Sequence, residues 1–238
     1  MSSSKSYAGR FKWFLAAAVI ALIGLSCYLL LNKHRTQAAR LSEARKEVTR
    51  LTEKKAIQDG DIIFQTSQSG QSKAIQQATH SPYSHCGLIF GLGYGSGMRY
   101  YVLEAVQPVK WTSLDAWIAH GQGGHYTIKR LHSDPVLPPS MFTELRIAGE
   151  KYLGRPYDMY FGWGDDRIYC SELVWKVYHQ VTGLEIGKLQ QLKDFDLSGE
   201  AVQKKLKERY GNHLPLRDTV ISPASIFDSE LLETVKVN

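Results

Sequence analysis

Four glycines at alternate positions, Gly91, Gly93, Gly95 and Gly97, separate two apolar strand candidates, Ser84–Phe90 and Arg99–Val106. Glycine enters positive φ without the penalty of a Cβ, so such a loop turns the chain back as an antiparallel hairpin. A hairpin centred between Tyr94 and Gly95 sets His85 opposite Glu104. Opposed residues share a face, with Cβ atoms roughly 4.5–5.5 Å apart. A slip of one residue would send Glu104 to the other face. The glycine loop suits this register without fixing it.

Two more segments, Asp61–Phe64 and His125–Leu131, read as strands. Ser72 to Ala78 reads as a short helix that ends near Ser81-Pro82, because a residue before proline avoids helical angles. Pro138-Pro139 opens a helix running to about Leu153 and stopped by Gly154. The next helix begins at Cys170, buries Leu173, Val174, Val177 and Val181, and ends at Gly183. Another follows near 199–210, and Ser222-Pro223 is a good N-cap and first-turn pair for a last one. Strands come first and helices after, which predicts an α+β domain with an antiparallel sheet.

Cys170 stands at a helix start, where the dipole favours thiolate, the species that attacks and binds. Taken singly, each of three residues has a plainer reading. Cys170 would be a small buried apolar residue, His85 a satisfied strand histidine, and Glu104 an exposed residue on a half-solvated sheet. Together they supply a nucleophile, a base and a carboxylate that orients the base.

Charge is unevenly spread. The first 55 residues hold eleven Lys/Arg and three Glu, a net of +8, and the rest of the chain carries −2 of the total +6. The globular part has no basic stripe, so nucleic acid is not an expected partner. Residues 1–12 form a short basic tail, and 13–31 (WFLAAAVIALIGLSCYLLL) are uncharged and long enough to cross a bilayer as a helix. The run is too long and lacks the small-residue site of a cleaved signal, so an uncleaved anchor is expected. Leu25-Ser26-Cys27 offers an alternative, a lipoprotein site acylated at Cys27. Residues 32–57, with Leu41, Ala44, Val48 and Leu51 at heptad-like spacing, are expected to be a helical stalk with weak self-association at most. The catalytic domain then occupies 58–238. The Lys/Arg count after the span favours a cytoplasmic domain. A short basic tail, and downstream charges interleaved with Glu43, Glu47 and Glu53, favour a periplasmic one, held at the inner membrane, and that orientation is the expectation. Of three cysteines, Cys27 is in the span and Cys86 in a strand, so no disulfide framework is implied.

The stretches Gly60-Asp61-Ile62-Ile63-Phe64, Ser84-His85-Cys86-Gly87-Leu88-Ile89, Val102-Leu103-Glu104-Ala105, Gly154-Arg155-Pro156-Tyr157-Asp158 and Tyr169-Cys170-Ser171-Glu172-Leu173-Val174 resemble the permuted papain-like amidases of the YiiX/YaeF type, a branch of the NlpC superfamily. The order His, Glu, Cys is the permuted one. The resemblance implies a papain-like domain in which Cys170 is the nucleophile, His85 the base and then acid, and Glu104 the residue that orients His85. It also implies that Tyr157 lies beside the nucleophile as an oxyanion or substrate contact. Asp158, Asp165 and Asp166 precede the nucleophile and offer carboxylates to a substrate ammonium, with Asp166 the candidate taken forward, although solvated loop carboxylates are the plainer reading. Cys86 alternates to the face opposite His85, so packing is its expected role.

These readings give a cysteine amidase or endopeptidase acting on cell-wall peptides or small amide-linked compounds, with no metal and no cofactor. Two alternatives stand beside it: a lipid-directed thiol acyltransferase or esterase, and a non-catalytic envelope-binding domain. The intact Cys, His and Glu weigh against the last.

Overall fold

The computed structural model describes residues 25–26, 28–29, 32, 35–132 and 138–235. It divides into two units, residues 1–43 and 44–238. The described residues of the first unit are helical and mostly exposed.

The second unit begins with helical residues 44–53 (α1). Then follow β1 (Ile62–Gln65), α2 (Ser72–Thr79), β2 (His85–Leu92), β3 (Arg99–Glu104), β4 (Lys110–Ser113), α3 (Leu114–His120) and β5 (Thr127–Leu131). The second half holds α4 (Pro139–Glu150), α5 (Cys170–Thr182), β6 (Gln190–Gln191), α6 (Glu200–Tyr210), β7 (Thr219–Val220), α7 (Pro223–Phe227) and β8 (Leu232–Thr234). Six strands form one sheet in the order β4-β3-β2-β1-β5-β8, every neighbouring pair antiparallel. Strands β6 and β7 pair separately.

Period-two alternation divides this sheet between two apolar layers. Ile62, Phe64, Cys86, Leu88, Phe90 and Leu103 join Leu145 and Ala148 of α4 and Leu173, Val174 and Val177 of α5 in one core. Ile63, Ile89, Val102 and Ile128 point the other way and join Ala44 and Leu51 of α1 and Leu114, Trp117 and Ile118 of α3. Both faces of each central strand are therefore covered, which accounts for their near-continuous apolar sequences. A bidentate pair from Arg130 on β5 to the buried Asp61, 2.7 Å at each nitrogen, ties β5 to the start of β1.

Three expectations change. The compact unit begins at Ala44 and not at residue 58, because the stripe assigned to a stalk is a wall of the second core: Ala44 and Leu51 are buried and Val48 packs beside them. That stripe is covered by its own domain. The transmembrane helix is likewise not supported: among the described residues no helix is long and apolar enough to cross a membrane. Most of 13–31, Cys27 included, lies outside the described residues. The third change is the hairpin register. Leu88 pairs with Leu103 and Ile89 with Val102, two positions from the expected pairing. The loop contains a short helical turn, Gly95–Gly97, with Gly93 and Gly95 at positive φ. That turn moves the hairpin centre from between Tyr94 and Gly95 to between Gly95 and Ser96. A shift of two preserves the face, so His85 and Glu104 become diagonal neighbours on the same side of the sheet.

Candidate active site

His85 opens β2 and Glu104 closes β3, so both stand at one end of the sheet. Continuing the observed pairing sets Glu104 opposite Gly87, between His85 and Ile89 on the shared face. A Cβ on Gly87 would lie 2.5 Å from Val102 Cγ1 and 2.9 Å from the Leu103 carbonyl oxygen. The glycine lets the two strands pack this closely beside the Glu104 Cβ, which would lie 3.5 Å away. The Glu104 Oε2 is 2.7 Å from His85 Nε2. Both side chains are buried.

Two further donors hold that carboxylate. Thr112 of β4 gives its hydroxyl proton to Oε1 at 2.6 Å, and Trp117 of α3 gives its indole N–H to Oε2 at 3.0 Å. The Trp117 ring also stacks on His85, with centroids 5.8 Å apart and planes 23° from parallel. Burial pushes Glu104 upward, but the bond and charge of His85 and the bond from Thr112 overcome it and leave the carboxyl below its ordinary range. A buried carboxylate without such partners would be costly. Trp117 and Thr112 went unassigned in the sequence, where no spacing linked them to Glu104.

Cys170 is the first residue of α5, and its N–H has no partner within the helix. The helix start is fixed from several sides. Tyr169 accepts a bond from the Ile221 N–H at 3.1 Å, and the Ser171 hydroxyl donates to the Ile221 carbonyl at 2.8 Å. Glu172 accepts from the Tyr169 N–H and pairs with Lys176 at 2.9 Å.

Cys170 belongs to the core under α5, whereas Glu104 and Trp117 lie on the opposite side of the sheet. Thiol and imidazole meet where β2 begins. The Cys86 thiol donates to the Cys170 sulfur; burial opposes the charge, and His85 adds a hydrogen bond and its own positive charge. The balance holds Cys170 well below the ordinary thiol value. Burial would depress His85, yet its bonds and charge interactions with Cys170 and Glu104 carry it up to about 10. Burial and the Cys170 charge both push Cys86 upward, so it stays a protonated donor. Cys86 packs in the core as expected and, from the far face of β2, also favours the Cys170 thiolate.

Tyr157 is brought to the same place and lines a cleft with Cys170. Its hydroxyl accepts a bond from Gln71 Nε2 at 2.8 Å, which leaves its own proton free to donate. Burial first and the nearby Cys170 charge second raise it well above the usual tyrosine value, keeping that proton in place. Asp166 is not brought in. It is fully exposed, 3.7 Å from Arg155. Asp165 pairs with Lys176 at 2.8 Å, and Asp158 is turned inward, accepting from the Tyr160 and Gly162 N–H groups.

Residues 56–236 match the permuted papain-like amidases of the YaeF/YiiX type, the C92 family. The chain belongs to that family. It is 51% identical over 178 residues to the uncharacterized protein YiiX of Escherichia coli K12, a match covering 75% of this chain and 85% of YiiX. The crystal structure of YiiX from Escherichia coli O157:H7, named there a metalloprotein, superposes with a TM-score of 0.69 at 51% identity, over 75% of this chain and 96% of that one. Among the described residues of this chain, no group of three or more His, Cys, Asp and Glu side chains is arranged to hold a metal ion. The residues described do not fit a metal, and no step below is routed through one. Family membership makes the chain a papain-like cysteine hydrolase of the amidase kind.

Proposed function

We propose that Cys170, His85 and Glu104 act as a catalytic triad that cleaves amide bonds in peptides or small amide-linked compounds, cell-wall peptide fragments among them. The observation that carries this reading is the Glu104–His85 bond of 2.7 Å, buried beside a cysteine held as thiolate at a helix start. In an ion pair of this kind the nucleophile is charged before substrate arrives.

The Cys170 thiolate adds to the carbonyl carbon, and the π electrons move onto oxygen. The Tyr157 hydroxyl and the Cys170 N–H are the donors offered to that oxyanion. As the tetrahedral adduct collapses, the C–N bond breaks and His85 protonates the departing amine from Nδ1, since Nε2 is held by Glu104. Water then adds to the thioester, neutral His85 takes its proton, and the C–S bond breaks to release acid and restore the thiolate–imidazolium pair. Glu104 stays ionised and orients the ring.

A second reading, hydrolysis of esters with apolar acyl groups, is favoured by one feature: the cleft reaching Cys170 is walled mainly by apolar side chains. Labelling with an iodoacetamide probe, followed by turnover of fluorogenic peptide amides and aliphatic esters, tests both readings. Labelling at Cys170, with turnover lost in Cys170→Ala and His85→Ala, is the expected result. Full amide and ester turnover by Cys170→Ala would overturn the assignment.

A further inference from the structure

The cleft lies between α2 and α6, with Cys170 and Tyr157 among its lining residues. Ala74 and Ile75 of α2 and Val202 and Leu206 of α6 give it apolar walls. Two cations interrupt them: Lys205, which is paired with Glu208, and Arg209. Arg209, on the last turn of α6, donates from one terminal nitrogen to Gln71, whose amide in turn donates to Tyr157. Its guanidinium rests on the Phe161 ring, 4.7 Å from the centroid. Phe161 sits at φ 54°, a left-handed conformation that is uncommon for an aromatic residue, in the loop braced by Asp158. The arginine is therefore held from two sides by neutral groups, and no carboxylate pairs with it among the described residues. Its Nε is buried and has no hydrogen-bond partner.

Among the described residues Gln71 takes one terminal nitrogen of Arg209, and the other can make a charge-assisted bond to a carboxylate. His85 is not among the residues that line this cleft. The group that protonates the amine thus lies on the other side of the sulfur, which puts the leaving group there and the acyl part in the cleft. We infer that the cleft is an acyl subsite for substrates with an apolar acyl body ending in a carboxylate, which Arg209 recognises. This inference rests on Cys170 as the nucleophile.

The test uses the full chain and p-nitrophenyl esters of two matched series, four to ten carbons long. One series ends in a free carboxylate, as in mono-p-nitrophenyl octanedioate, and the other in a methyl group, as in p-nitrophenyl octanoate. The expected result is a kcat/KM ratio of about tenfold or more for the carboxylate series at its best length, the gain a charge-assisted pair typically gives. Arg209→Gln should bring the ratio near one, and Arg209→Lys, which keeps the charge without the fork, should retain part of it. Calorimetric titration with the monoamide of octanedioate and with octanamide, which differ only in the terminal carboxylate, reads the cleft by binding and should show the same preference. A wild-type protein that hydrolyses p-nitrophenyl acetate through Cys170 but shows no carboxylate preference at any length overturns the subsite and leaves the nucleophile standing. Ester hydrolysis undiminished in Cys170→Ala overturns the nucleophile, and the titration then decides the subsite alone.

Discussion

Gly87 faces Glu104 across the continued β2–β3 ladder, where a Cβ on it would meet Val102 Cγ1 at 2.5 Å and the Leu103 carbonyl oxygen at 2.9 Å, and would lie 3.5 Å from the Glu104 Cβ. The close approach of the two strands beside Glu104 thus depends on a residue that contributes no atom to base or carboxylate.

Gly87→Ala should show that dependence. Its methyl would meet Val102 Cγ1 at 2.5 Å and a backbone oxygen at 2.9 Å, an overpacking worth about 1–3 kcal/mol of stability. Activity should fall by about tenfold or more, since small displacements of positioned groups weigh heavily on rate. Paired measurements of thermal midpoint and kcat/KM check this, and an active, unshifted variant would contradict it.

Trp117→Phe keeps an aromatic ring near His85 but removes the indole N–H that reaches Glu104. Leaving Glu104 short of a donor should cost about 1–3 kcal/mol of stability. A positioning role also moves the pH profile: with Glu104 less well held, imidazolium is less favoured and the alkaline limb should shift down. A stability loss with an unmoved profile would make Trp117 a packing residue only.

The pH dependence follows from the signs of the two shifts. Cys170 is held low, so its thiolate persists well below the usual thiol range. His85 is raised to about 10, so its imidazolium persists up to that pH. Activity that needs thiolate and imidazolium together should be flat through neutrality and decline as pH rises through about 10. The expected outcome, read from kcat/KM against pH, is an alkaline limb near 10 and an acid limb well below the ordinary thiol range.

Cys86→Ala removes a donor to the Cys170 sulfur and should move the acid limb upward. Iodoacetamide should alkylate Cys170 well ahead of Cys86 in the native protein, because burial and the Cys170 charge hold Cys86 as a thiol. Peptide mapping by mass spectrometry gives the order, and faster labelling at Cys86 would reverse the assignment.

Much of the sheet and the helices could be read from period and punctuation. The Ser222 cap, for one, accepts from the Ser225 N–H at 3.0 Å, as a Ser-Pro pair before a helix leads one to expect. The hairpin shows how a sequence argument can miss a register yet keep a face. Glycine loops mark a reversal but not its centre, and only an odd slip would have separated His85 from Glu104. Strand β4 and helix α3 were missed because four residues and seven are too short to show a period, so Thr112 and Trp117 had no address. The stripe of Ala44, Val48 and Leu51 was visible, but a stripe does not say what covers it. Asp166 looked functional by its place in the chain, yet its side chain is fully exposed, 3.7 Å from Arg155. Only its three-dimensional surroundings show that.

The two-sided construction of this sheet has a corollary for the site. Cys170 rides on the layer under α5, while the carboxylate that steadies its base is clamped from the layer containing α1 and α3. A chain with only one layer assembled would carry an exposed, ordinary thiol and an untethered imidazole. The proposed triad therefore draws on both layers at once, and neither layer alone holds all of its parts.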